Sequence, residues 1–361
     1  MPDGNTESEI QLQPQPQRHD TPQRASRRSE EQLPYNAPSD TNCSIDSDKT
    51  LIRRWLAEKS ARTQDEYARD LEQFVEFADL PLRYVTLGHL QEYRERLSNE
   101  GYAKSSVKRK LSAVKSLFTF GTKLRYFAHN VGAALSTPSV RNDRAKRILS
   151  EADLWAILRD EKDLRNHVLL RLFYASGGRI SDVEDLRWQD LKDRPDLEGP
   201  DGRPGGQVTF YGKGGKTRAV TLYSKVWGLI VRLHEEEETA GYGAADDPVF
   251  RSQKGGSLSR TQIWRVVKKA ATQAGVKPTE KTDADGAVKR NEEGEPIMTS
   301  KVSPHWFRHA HASHALQKGA DLELVRETLG HESIETTKTY LHAQPGKSSS
   351  YYVDEAPDFD G

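Results

Sequence analysis

The chain has 361 residues, 35% of them hydrophobic, which is enough for two or three domains with real cores over part of its length. A single cysteine, Cys43, excludes an intrachain disulfide, and the N-terminus has no apolar run resembling a signal peptide or a membrane span, so a reducing, cytoplasmic home without membrane contact is expected. The formal net charge of zero hides an uneven division: residues 1–47 and 351–361 each carry −4, leaving +8 on residues 48–350, a balance that favours DNA phosphates although solvation alone also accounts for it.

Up to about residue 47 the chain is rich in Gln, Pro, Ser, Asp and Arg and nearly free of aliphatic side chains. Too little apolar surface is present there to offset the entropy of ordering, which predicts a disordered tail. From residue 48 a helical period begins. Thr63-Gln64-Asp65-Glu66 has the form of a capping box, and Tyr67, Leu71, Phe74, Val75 and Ala78 then recur on one face until Leu80-Pro81. A second helix follows Thr86, with Leu90, Tyr93 and Leu97 inward and Gly101 as its stop. A third begins near Ser105 and turns Val107, Leu111, Val114 and Phe118 inward, while its other positions include Lys104, Lys108, Arg109, Lys110 and Lys115. Such a basic face is either solvated surface or a phosphate-contacting helix, since several cations on one rigid element can follow a DNA backbone. Helical patterning to about Leu135 delimits a small helical domain over 48–135.

Residues 136–147 lack apolar periodicity and carry Arg141, Arg144, Lys146 and Arg147, an exposed linker suited to lie on DNA. Ser150 with Asp153 opens the next helix, and residues 167–174 are apolar enough to form a core helix. Two strands follow, Gln207–Tyr211 and Thr217–Leu222, joined by the glycine-rich Gly212-Lys213-Gly214-Gly215-Lys216 as a hairpin. Residues 279–297, polar and punctuated by glycine, read as an inserted loop or hairpin, and helices resume from 303 to about 342. The expected fold is mainly α with a small antiparallel β-sheet: a helical domain, the linker, an α+β domain over 148–345, and an acidic tail over 346–361.

Ser303-Pro304 reads as an N-cap followed by the first helical position, with Gly319 closing the helix. His305 and Arg308 then share one face near the positive end of the dipole, where a phosphate meets backbone N–H groups, a guanidinium and an imidazole together. Taken alone, His-x-x-Arg is an ordinary charged surface turn. The four histidines His305, His309, His311 and His314 suggest a metal site, but neither carboxylate nor cysteine accompanies them, so no metal is expected. Arg179 follows two glycines and precedes Ser181-x-x-Glu184, a helix-start pattern, with Asp182 in reach to orient its guanidinium. Lys213 stands at a hairpin tip, able to touch DNA and to protonate a leaving oxygen, though most tip lysines are inert. Tyr340 follows the break at Gly330-His331 on a helix capped by Ser333; by itself it is a packing tyrosine.

In this order, Ala175-Ser176-Gly177-Gly178-Arg179-Ile180-Ser181-Asp182, Gly212-Lys213-Gly214, His305-Trp306-Phe307-Arg308-His309, and Leu329-Gly330-His331 with Tyr340 nine residues on resemble the tyrosine recombinase (phage integrase) family. The resemblance covers about residues 48–345 and is strongest in the second half. It implies a core-binding domain and a catalytic domain that clamp duplex DNA, and a homotetramer acting on two duplexes. It also implies a 3′-phosphotyrosyl intermediate on Tyr340, with Arg179 and Arg308 on the non-bridging oxygens and His331 hydrogen-bonded to the phosphate. Lys213 is carried over as general acid and His305 as the group assisting proton transfer from Tyr340. Two-arginine clamping can substitute for a metal, and the ester keeps the bond energy, so neither a metal nor another cofactor nor ATP is expected.

The sequence departs from the family pattern at Gly178, where leucine is usual, and at Asp182, where glutamate is usual. The stretch 279–297 is longer than compact members need, and Pro345-Gly346 breaks the helix that often docks into a neighbouring protomer, although Tyr351-Tyr352-Val353 can still add as a strand. A type IB topoisomerase and a DNA-binding relative without catalysis are the competing readings. The Leu-Gly-His to tyrosine spacing favours recombinase over the first, and the filled catalytic positions argue against the second.

Overall fold

The computed structural model describes residues 36–38, 45–140, 147–198, 202–212, 217–283, 286–331, 333–338 and 340. Most of both tails, positions 141–146 of the expected linker, and the hairpin tip with Lys213 lie outside the described residues. The chain divides into two compact units, 1–141 and 142–361. No helix among the described residues is long and apolar enough to cross a membrane. The expected fold class, mainly helical with small antiparallel sheets, is borne out.

In the first unit, helices α1 (Asp48–Ala57), α2 (Ala61–Ala78), α3 (Leu87–Asn99) and α4 (Lys104–Lys123) enclose one core. Thr86 caps α3 as its sequence implies: its hydroxyl accepts the His89 N–H, and His89 Nδ1 accepts the Thr86 N–H. Leu90, Tyr93, Leu97, Leu111, Val114 and Phe118 are all fully buried. Each contributes on the order of 1.5–3 kcal/mol by leaving water. The capping box expected at Thr63 does not form. The helix starts one turn earlier, at N-cap Ser60, and the Thr63 hydroxyl meets the Ser60 hydroxyl at 2.9 Å instead. Asp79 ends α2 in a left-handed conformation ahead of Leu80-Pro81.

The expected basic face of α4 is divided. Lys104 and Lys108 are exposed, but Arg109 is ion-paired to buried Asp70, and Lys115 donates to the Leu135 carbonyl. Lys110 is buried and bonds Asp70 at 3.1 Å and Gln73 at 2.6 Å. A carboxylate buried on α2 needs cations beside it, and α4 supplies them.

In the second unit, α5 (Glu151–Asp160) opens on the reciprocal Ser150–Asp153 cap. Helix α6 (Leu164–Ser176) is the central element. Val168, Leu169, Leu170, Leu172 and Phe173 are fully buried, so the helix is apolar nearly all round. The short α7 (Ile180–Glu184) follows, then a three-stranded antiparallel meander of β1 (Leu191–Glu198), β2 (Pro204–Tyr211) and β3 (Thr217–Leu222) in the order β1-β2-β3. Strand β1 was not expected. Its sequence, Leu-Lys-Asp-Arg-Pro-Asp-Leu-Glu, is polar and contains proline, which an edge strand tolerates because one row of its backbone groups faces away from the ladder.

Helices α8 (Ser224–Thr239) and α9 (Arg260–Gln273) follow, and α8 packs on α6. The polar stretch after α9 is folded: β4 (Pro278–Glu280) pairs with β5 (Met298–Ser300), and bridges Thr282–Val288 and Arg290–Pro296 continue the pairing. The chain ends its described part with α10 (Pro304–Gln317), which packs on α6, then α11 (Leu322–Leu329) and α12 (Ile334–Lys338).

Candidate active site

Two sharp turns bring the site together, and both need glycine. Gly177 ends α6 at φ +59°, where a Cβ would lie 2.6 Å from a Leu329 methyl and 3.0 Å from the His311 ring. Gly330 ends α11 at φ +61°, where a Cβ would lie 3.1 Å from the Arg218 guanidinium. The two helix ends therefore approach one another closely, with Arg179 two residues after the first and His331 one residue after the second. Gly178 leaves no gap for a missing leucine, because Phe210 and Val183 reach within 3.5 Å of the position its Cβ would take.

Three guanidiniums converge on the C-terminal carbonyls of α11. Arg308, 5% exposed, donates to Gly177 O at 2.6 Å and to Leu329 O at 2.7 Å. Arg218 donates to the same Leu329 O at 2.5 Å, and Arg179 to Gly330 O at 2.9 Å. Carbonyls left over at a helix C-terminus are natural acceptors for cations. Burial first, then the charges of Arg179 and Arg218, push the Arg308 pKa down to about 9, which still leaves it charged at neutral pH. Burial also lowers Arg218, with Asp182 opposing that shift and Arg179 adding to it.

Asp182 does not serve the arginine expected. Its carboxylate accepts the Arg179 backbone N–H at 3.0 Å, capping α7, and takes the Arg218 guanidinium at 2.7 Å, while the Arg179 guanidinium points to Gly330. Against these three cations Asp182 is the carboxylate hydrogen-bonded within the cluster, so the group is poised to take an anion.

The histidines of α10 separate by role. His305 stands in the first turn with part of its surface open to solvent. Loss of solvation first, and then the charges of Arg308, Arg179 and Arg147, lower its pKa. His311 donates through Nδ1 to Tyr174 O at 2.8 Å, and His314 Nδ1 lies 3.0 Å from the Tyr174 hydroxyl, so both fasten α10 to α6. Among the described residues no cluster of three or more His, Cys, Asp and Glu is arranged around a cation.

His331 is buried, with Nδ1 2.8 Å from the Thr337 hydroxyl and its carbonyl held by Arg326 at 2.9 Å. Its ring lies parallel to that of Tyr340, within 4°, at a centroid distance of 6.3 Å. Tyr340 is 3% exposed in a small apolar cluster with Ala312, Leu316, Val325 and Leu329, and its hydroxyl is 2.8 Å from His309 Nδ1. The structure thus gathers Arg179, His305, Arg308, His331 and Tyr340, while Lys213 falls outside the described residues between the paired ends Tyr211 and Thr217.

Two members escaped the sequence reading. Arg218 carries a sequence signal: in β3 it alternates with Val220 and Leu222 on the inward face, where a charge needs a buried partner. For His309 the sequence suggests only a metal ligand, because nothing along the chain reveals that it meets a tyrosine 31 residues away.

The phage integrase family pattern matches residues 138–347, and that of the phage integrase N-terminal SAM-like domain matches residues 52–123. The chain is 28% identical over 319 residues to tyrosine recombinase XerD of Vibrio cholerae, covering 86% of this chain and 94% of that protein. It is 30% identical over 291 residues to tyrosine recombinase XerC of Xanthomonas campestris pv. campestris, covering 78% and 79%. Among solved structures it is similar in fold to XerH recombinase bound to a palindromic difH substrate, at TM-score 0.59 and 22% identity, covering 82% of this chain and 81% of that one. A lambda integrase (75–356) dimer bound to a COC′ core site also has TM-score 0.59, at 16% identity, covering 84% and 98%. With one family pattern spanning more than half of its length and a relative 30% identical along most of it, the protein belongs to the phage integrase family of tyrosine recombinases.

Proposed function

We propose that the protein is a site-specific DNA recombinase that cuts and rejoins duplex DNA through a 3′-phosphotyrosyl ester on Tyr340. The observation that carries this reading is the gathering of a tyrosine, His331 and three guanidiniums around one pair of helix ends, with a net positive charge that a phosphodiester would balance. In the first step the Tyr340 oxygen bonds to phosphorus and the bond from phosphorus to the 5′-oxygen breaks. Arg179 and Arg308 hold the non-bridging oxygens as charge grows on them, a stabilisation worth on the order of 3 kcal/mol per donor. His305 faces the phosphate from the first turn of α10, and His331 completes its hydrogen bonds. Lys213 gives the leaving 5′-oxygen its proton. Rejoining reverses these bonds with a different 5′-hydroxyl, so the ester conserves the energy of the cut strand.

Duplex DNA as partner and assembly on DNA, as a tetramer on two duplexes, are part of the same proposal. The solved likenesses hold DNA, and one is a lambda integrase tetramer bound to a Holliday junction. Exposed Lys104 and Lys108 on α4 are the phosphate contacts we propose for the first unit. The single Cys43 suits a reducing cytoplasm, where such DNA lies. The test uses a duplex that the purified protein selects from a randomised pool, nicked so that the freed strand diffuses away. Wild-type protein should accumulate a covalent adduct, and Tyr340→Phe should form none while binding the same duplex. An adduct persisting in Tyr340→Phe would assign the nucleophile to another residue.

A further inference from the structure

We propose that His309, not His305, receives the proton of Tyr340 when the phenol attacks phosphorus. This inference rests on the functional reading above and adds a catalytic group to it. A buried phenol must donate its hydrogen bond to some acceptor, and here it lies 2.8 Å from His309 Nδ1, with Ala312, Leu316, Val325 and Leu329 clustered with the tyrosine. With its proton on Nε2, a neutral imidazole offers Nδ1 as an acceptor, so the O–H already points at a base before DNA arrives. Of the other imidazoles, His331 Nδ1 is bonded to Thr337 and His311 Nδ1 to the Tyr174 carbonyl, and His305 stands exposed one helical turn earlier on α10.

The surrounding charges suit the transfer. Arg308 interacts with Tyr340, the His331 ring lies parallel to the phenol, Arg326 holds the His331 carbonyl, and Arg179, Arg218 and Arg308 bond the carbonyls that end α11, with His305 one turn earlier on α10. Arg308 is close enough to Tyr340 to attract an ionised phenol, which favours the negative charge left on its oxygen as the proton departs. As the bond from oxygen to phosphorus forms and the 5′-oxygen departs with a proton from the opposite side, the phenol proton passes to His309 Nδ1. In rejoining, the imidazolium returns it to the departing phenol oxygen.

The test measures single-turnover adduct formation by the full chain on the nicked, selected duplex at pH 7 and pH 9. His309→Gln and His309→Asn both keep a polar group beside the phenol but cannot take a proton, and comparing two variants guards against one that misfolds. Duplex binding and melting temperature should stay close to wild type. At pH 7 cleavage should fall by about 10²–10³-fold, the range expected for loss of a general base. The deficit should shrink at least about tenfold by pH 9, because solvent base then takes the phenol proton. A deficit equal at both pH values would reduce His309 to a packing role, and cleavage within about threefold of wild type at pH 7 would remove it from the mechanism. Failure of wild-type protein to form any adduct would instead overturn the functional reading on which the inference stands.

Discussion

Asp182 and Arg218 form the buried pair on which the guanidinium cluster depends. Their side chains are 5% and 11% exposed, and the carboxylate also accepts the backbone N–H of Arg179, the residue that precedes α7. Removing one partner leaves the other's charge buried without compensation, a loss of about 3–5 kcal/mol. Asp182→Ala is therefore expected to lower stability by that amount in urea denaturation; a change within about 1 kcal/mol would show that solvent reaches the pair. Arg218→Lys should not substitute, since a single ammonium nitrogen cannot take the two positions from which separate guanidinium nitrogens donate to Leu329 O and to Asp182. At this scale the sequence exposed Arg179, Arg308, His331 and Tyr340 through their spacing. It misdirected Asp182 because a one-dimensional pattern ranks neighbours along the chain, and the guanidinium that Asp182 reaches comes from 36 residues away.

Among the elements, α10 does two jobs that its composition does not separate. One face carries His305, Arg308 and His309 to the site, while His311 and His314 fasten the helix to α6. His311 is held neutral: burial first, with some opposition from the Tyr174 carbonyl, pushes its pKa down to about 4. Because the unfolded chain protonates near the ordinary imidazole value, it binds more protons than the folded chain between about pH 6.5 and pH 4. The stability this residue contributes is complete above that window and is lost as pH falls through it, a difference on the order of 3 kcal/mol. Denaturation midpoints at pH 7 and pH 4.5 should thus diverge in the wild type and converge in His311→Asn. An equal pH slope in both proteins would assign the acid sensitivity to other groups.

Helix starts at Thr86 and Ser150 were legible because a cap is written within four residues. The start of α2 was misplaced by a second plausible cap, and β1 was hidden because an edge strand needs pairing on one side only.

For the molecule as a whole, the neutral total charge conceals a positive middle of +8 between acidic ends, the electrostatic setting that the proposed attack on a DNA phosphate calls for. The fold class was legible from periodicity and glycine-rich turns. The division of labour inside α4 was not, since nothing local shows that Asp70 is buried, pairs with Arg109 and draws Lys110 inward. In the proposed function these parts serve one chemical event, attack of Tyr340 on a DNA phosphate. The most direct measurement is proteolysis and mass spectrometry of the covalent adduct formed on the nicked, selected duplex. One modified peptide is expected, carrying a 3′-linked nucleotide on Tyr340, together with a released strand that begins with a 5′-hydroxyl. A nucleotide on any other residue, or a released strand bearing a 5′-phosphate, would contradict the proposed function.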